Sequence, residues 1–178
     1  MMMRIPVLLL VVASCVNACK PAPGFVFLSF EEVMYRADLV LYGKDLHHTV
    51  RPDPEWSWTN RTDSVFGVYC VLKSTRPLRV PATITIRQIE PRTTCETSPP
   101  EVGQDYIVML RRLRRGVYEW KPVKELHSAK YPADQSHLDG AMKVCGFQSP
   151  SLPRGAPYYG KSCPPISQDA CFQPMLMT

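Results

Sequence analysis

The cysteines constrain this chain most. Seven occur, at positions 15, 19, 70, 95, 145, 163 and 171. They are widely spaced and no two stand as Cys-x-x-Cys, which argues against a zinc site. The first two lie at the end of an apolar leader. Arg4 gives it a positive start, IPVLLLVVA an apolar centre, and Val16 and Ala18 fit the processing rule three and one residues before a cut. The run is too short to cross a bilayer as a helix. Cleavage after Ala18 removes Cys15 and leaves six cysteines, an even number. Cleavage after Ala13 is the competitor and leaves all seven, one of them unpaired. An N-terminal anchor helix is the other use of such a leader. Six cysteines in an oxidising compartment read as three disulfides, and the cysteines alone allow about fifteen pairings. Asn17 fits a bacterial lipobox poorly, whereas the glycosylation sequon at Asn60, Asn60-Arg61-Thr62, fits a eukaryotic secretory route. The expectation is a soluble protein secreted to the extracellular space or matrix, with residues 1–18 as signal peptide.

The 178 residues suit one modest domain and a tail, and 45% hydrophobic against 21% charged is enough apolar material for a small core. The 18 prolines point to strands and turns rather than long helices. Ser29 to Arg36 reads as a short helix, with Ser29 as N-cap and Glu32 completing a capping box. ADLVLYGKDL (37–46) reads as a strand, bent or bulged at Gly43. Residues 47–63 carry Pro, Asp and Asn punctuation and read as a long hairpin loop. Strands follow at SVFGVYCVLKST (64–75) and ATITIRQIE (82–90), the second alternating Ile with polar residues. QDYIVMLRRL and GVYEWKPV read as two more strands joined by a basic turn, and YPADQSHLDGAMKVCG as a segment with a short helix. Past Cys145 the chain turns rich in Pro, Gly and Ser, which sets the boundary of a Pro-rich tail over 146–178.

Five strands with flanking helices suit a mainly β fold, an OB-like five-stranded β-barrel, because closure removes exposed edges. An immunoglobulin-like sandwich would need about seven strands and a Cys…Trp…Cys pattern, and neither is present. ADLVLYGKDL, then VYCVLKS, a cysteine loop and VGQDYIVML, in this order over residues 19–145, resemble the netrin-like (NTR) module. That family includes the N-terminal domain of the tissue inhibitors of metalloproteinases (TIMPs). The resemblance implies an OB-like barrel and a binding role rather than catalysis; no cofactor is expected. It also implies a Cys19–Cys95 disulfide, which leaves Cys70–Cys145 as the second pair and Cys163–Cys171 as a local loop in the tail.

In TIMP-like domains the amine and carbonyl of the first cysteine chelate the catalytic zinc of a metalloproteinase. The resemblance places that role on Cys19, acting on a metal held in trans, and the chemistry is sound: an α-amine and its carbonyl form a five-membered chelate. The chain departs from the pattern at Lys20, where the family has a small residue, at Pro21, where it has a second cysteine, and at Tyr35-Arg36, where it has a cysteine before the first strand.

The second functional signal is LRRLRRG. Arg111, Arg112, Arg114 and Arg115 fall at a strand–turn–strand junction in the X-B-B-X-B-B-X pattern of heparin-binding segments. Four guanidiniums this close repel one another and become favourable beside a polyanion. Sulfated glycans of the extracellular matrix, rather than nucleic acid or membrane, are the expected partners. The net charge of +5, one unit of which is Arg4 in the leader, adds little. A convertase cut at Arg112–Arg115 would sever a hairpin between core strands. His47-His48 lacks a third metal ligand, and no G-x-S-x-G, H-E-x-x-H or P-loop occurs. Asp38, Asp45, Glu55 and Glu90 show no acid–base pairing, and Trp56 and Trp58 fall in the long loop. The sequence therefore leads to a non-enzymatic secreted protein that binds matrix components or a protein ligand, with metalloproteinase inhibition through Cys19 as the alternative.

Overall fold

The computed structural model describes residues 24–52, 60–87, 100–121, 128–145, 147, 150–154 and 163–164. Helix α1 (Phe30–Arg36) starts as expected: the Ser29 N–H donates to Glu32 Oε2 (2.8 Å) and the Glu32 N–H donates to Ser29 Oγ (3.2 Å). Strands follow as β1 (Leu39–Pro52), β2 (Asn60–Ser74), β3 (Thr83–Arg87), β4 (Asp105–Arg114), β5 (Val117–Trp120) and β6 (Lys130–Pro132), then helix α2 (Gln135–Met142). The sheet order is β1-β2-β3-β5-β4, and a further β1–β4 pairing closes it into a five-stranded barrel. All these pairings are antiparallel except β3–β5. The fold of the described residues is thus mainly β, OB-like, with two short helices. None of the described helices is long and apolar enough to cross a membrane.

Alternation along the strands divides the apolar residues between two cores. Leu41, Phe66, Val68, Ile84, Ile86, Val108, Leu110 and Tyr118 fill the barrel. Val40, Tyr42, Ile107 and Met109 face outward and are covered by Val33 and Met34 of α1, Ala141 and Met142 of α2, and Phe147. Lys73 joins the outer core to α1. Its Nζ donates to the carbonyls of Met34 and Tyr35, where a cation favours the helix C-terminus, and it lies 5.5 Å from the Tyr35 ring centroid. Burial holds the Lys73 pKa below the ordinary lysine value, partly offset by Asp38.

Two features of the strands differ from the sequence expectation. β6 was not legible, because three residues become a strand only by pairing with Tyr106–Val108. The Met109 N–H donates to the Ala129 carbonyl while its own carbonyl accepts from the Lys121 N–H, so β6 continues the edge of β4 that β5 leaves. The long loop is shorter than read: β1 and β2 pair out to Pro52 and Asn60, and the ribbon is exposed enough to show no apolar period. Gly43 does mark an irregularity, lying beside a register shift; a Cβ there would come within 2.1 Å of the Gly67 carbonyl oxygen.

The disulfide pattern is corrected. Cys70 bonds to Cys163, not to Cys145, and Cys163 is therefore not bonded to Cys171. The reason lies in the path of the tail. Ser151 exchanges both backbone hydrogen bonds with Val71, and Arg154 bonds Val80 and Ala82, so the tail runs along the edge of β2 beyond β3. Ser151 thus lies beside Val71, the chain neighbour of Cys70, and Cys70 is fully buried on the outer core. Cys145 is also disulfide-bonded. The expected Cys19–Cys95 pair and the leader lie outside the described residues.

Candidate anion-binding hairpin

The β4–β5 hairpin is built from a strand that changes character halfway. Tyr106 to Leu110 are buried, and Arg111 to Arg114 continue the same strand into solvent. Gly116 closes the turn with φ of 75°, a conformation that costs glycine little. β5 returns with Val117 opposite Arg114, Tyr118 opposite Arg112 and Glu119 opposite Arg111. Leu113 is the extra residue of a bulge between Arg112 and Arg114, and it is 45% exposed.

The four arginines are not equivalent. The Arg111 guanidinium is hydrogen-bonded and ion-paired to Glu119, whose side chain is mostly sheltered. Arg112 stands beside Tyr118 at the barrel mouth. Burial raises the Tyr118 pKa, and the positive charge of Arg112 partly opposes that. Among the described residues, Arg112, Arg114 and Arg115 have no carboxylate partner, and all three are exposed. The hairpin therefore places at least three unneutralised positive charges within a few residues, each able to form charge-assisted bonds with an anion.

The other polar cluster has a structural character. Asp45 is fully buried on β1; its carboxylate accepts from His48 Nε2 (2.8 Å) and from Ser64 Oγ (3.1 Å). The three residue types are those of a hydrolase triad, but here the carboxylate is the centre and the imidazole does not bridge to the hydroxyl. The arrangement satisfies a buried charge rather than activating a nucleophile. Sequence reasoning missed it, because Ser64 comes from the neighbouring strand. His47 and His48 are adjacent on a strand and project to opposite faces, so they cannot share an ion. Among the described residues no three His, Cys, Asp or Glu side chains are placed to hold a metal. A groove between Leu78, Val80 and Leu152, rimmed by Arg79 and Arg154, contains no acid–base pair.

Cys19, Lys20, Trp56 and Trp58 lie outside the described residues, and Asn60 is the first residue of β2. Compared with known proteins, the chain matches no family model and no curated protein.

Proposed function

We propose that this protein is a secreted, non-enzymatic binding module of the netrin-like type, and that its ligand is a sulfated glycan or a comparably anionic matrix component held at the β4–β5 hairpin. One observation carries the proposal: Arg112, Arg114 and Arg115 are exposed and have no carboxylate partner among the described residues, while the strand below them is locked into the barrel. A rigid scaffold presenting a fixed group of guanidiniums limits the ordering cost of binding. The five-stranded closed barrel is the architecture that the NTR resemblance implies. Arg111, the fourth arginine of the segment, is already engaged by Glu119.

The test is heparin chromatography of the secreted protein at physiological ionic strength. Wild type is expected to be retained, and a variant with Arg111, Arg112, Arg114 and Arg115 all changed to Ser is expected to flow through with an unchanged melting temperature. Equal elution of the two proteins would remove the hairpin from the binding surface.

A further inference from the structure

Strand register at this end of the barrel extends the anionic contact beyond the hairpin. In the parallel β3–β5 pair, Arg87 stands beside Glu119. In the antiparallel β4–β5 pair, Arg111 stands beside Glu119 from the other side, and Arg114 beside Val117. Cross-strand partners share a face of the sheet, as do residues two apart in one strand. Ile84, Ile86 and Tyr118 point into the barrel. Arg87, Arg111, Arg114, Val117 and Glu119 therefore share the outer face. The bulge at Leu113 brings Arg114 there. Regular alternation would have grouped it with Arg112, and one inserted residue reverses the phase.

Neighbouring strands lie about 4.8 Å apart, so Arg87 and Arg111 flank Glu119 with their backbones roughly 10 Å from each other, and Arg114 lies roughly 7 Å farther along β4. Arg87 is exposed and, like Arg114, has no carboxylate partner among the described residues. The patch thus crosses three strands and carries three guanidiniums around one carboxylate.

Resting on the polyanion function proposed above, we infer that the ligand lies across β4, β5 and β3 on this outer face, and that Glu119 sets its affinity. Glu119 holds Arg111 in the free protein and competes with sulfate or carboxylate groups for it. It also places a negative charge in the middle of the surface that meets the ligand, and such like-charge juxtaposition opposes binding. Arg112, on the inner side beside Tyr118, contributes less than Arg87 or Arg114.

The test is a titration of the full secreted chain with fluorescent heparin at about 0.15 M salt, an ionic strength at which exposed charges act over only ~8 Å. The variants are Arg87→Ser, Arg112→Ser, Arg114→Ser and Glu119→Gln. Arg87→Ser and Arg114→Ser are each expected to weaken binding roughly three- to fivefold, and Arg112→Ser less than twofold. Glu119→Gln, which keeps shape and an acceptor but removes the charge, is expected to tighten it roughly three- to fivefold. Unchanged affinity for Arg87→Ser, with loss for Arg112→Ser, would confine the ligand to the hairpin tip and overturn the inference. Unchanged or weaker binding by Glu119→Gln would overturn the role of Glu119. Absence of binding by wild type would overturn the polyanion function itself, an outcome distinct from either.

Discussion

Two ribbons extend from this barrel, and they treat charge in opposite ways. In the β1–β2 ribbon, charges are matched close to home. Asp45 is held by His48 and Ser64, and Arg51 lies 3.3 Å from Asp63. In the β4–β5 hairpin, Glu119 pairs with Arg111 alone, and Arg112, Arg114 and Arg115 have no carboxylate partner among the described residues. A matched buried charge such as Asp45 fixes a shape, because left alone it would be costly to shelter from water. An excess of one sign fixes nothing, and its repulsion is relieved only by something from outside. The contrast separates the ribbon that maintains the fold from the ribbon that is free to bind.

The comparison breaks most visibly at the root of the first ribbon. Gly43→Ala is expected to cost about 3 kcal/mol or to prevent folding, because the new Cβ would meet the Gly67 carbonyl at 2.1 Å. Urea unfolding measures it, and a loss below about 1 kcal/mol would mean that the two strands separate easily there. Next comes Asp45→Ala, which leaves the Ser64 hydroxyl buried without its partner. A loss of about 2 kcal/mol is expected by the same measurement, with heparin retention unchanged. Arg51→Ala is expected to cost under about 1 kcal/mol, since the arginine is largely exposed. For the hairpin, changing all four arginines to Ser is expected to move stability by no more than about 0.5 kcal/mol, while retention on heparin is lost. A destabilisation as large as that of Asp45→Ala would place the hairpin among the structural elements and erase the contrast.

A control lies outside both ribbons. Asp134 caps α2, accepting from the His137 N–H (2.9 Å) and from Ser136 Oγ (2.7 Å). Those bonds, the backbone one foremost, hold its carboxyl down to about 2 from an ordinary 3.8. A lowered carboxylate pKa stabilises the fold fully above the unfolded value, and that contribution is lost as pH falls from about 4 toward 2. The melting temperature of wild type is expected to fall more over that window than that of Asp134→Asn, whose side chain still caps. Equal slopes for the two proteins would place the titration elsewhere.

Local chemistry was legible in the sequence. Ser29 and Glu32 announced the capped helix, Ile84 and Ile86 alternate as a half-buried strand must, and Gly116 stands where the basic turn needs a positive φ. The missing features depend on partners distant in the chain. Lys130–Pro132 has no strand signal of its own and is extended by Tyr106–Val108. Ser64 reaches Asp45 across 19 positions. Cys70 takes its partner from wherever the tail lands, and composition does not encode a landing site. The arginine segment was visible as charge, but alternation alone groups Arg112 with Arg114. Only the register shows the inserted Leu113, and with it Arg87 and Glu119 on the same face as Arg114.

The bond between Cys70 and Cys163 ties positions 93 apart into a covalent ring. A protease that clips the backbone once inside that ring releases no fragment. On a non-reducing gel the clipped molecule would run as one band, and it would fall into two pieces only when a thiol reductant opens the ring. An assay for damage to this protein that omits reductant would therefore score clipped molecules as intact.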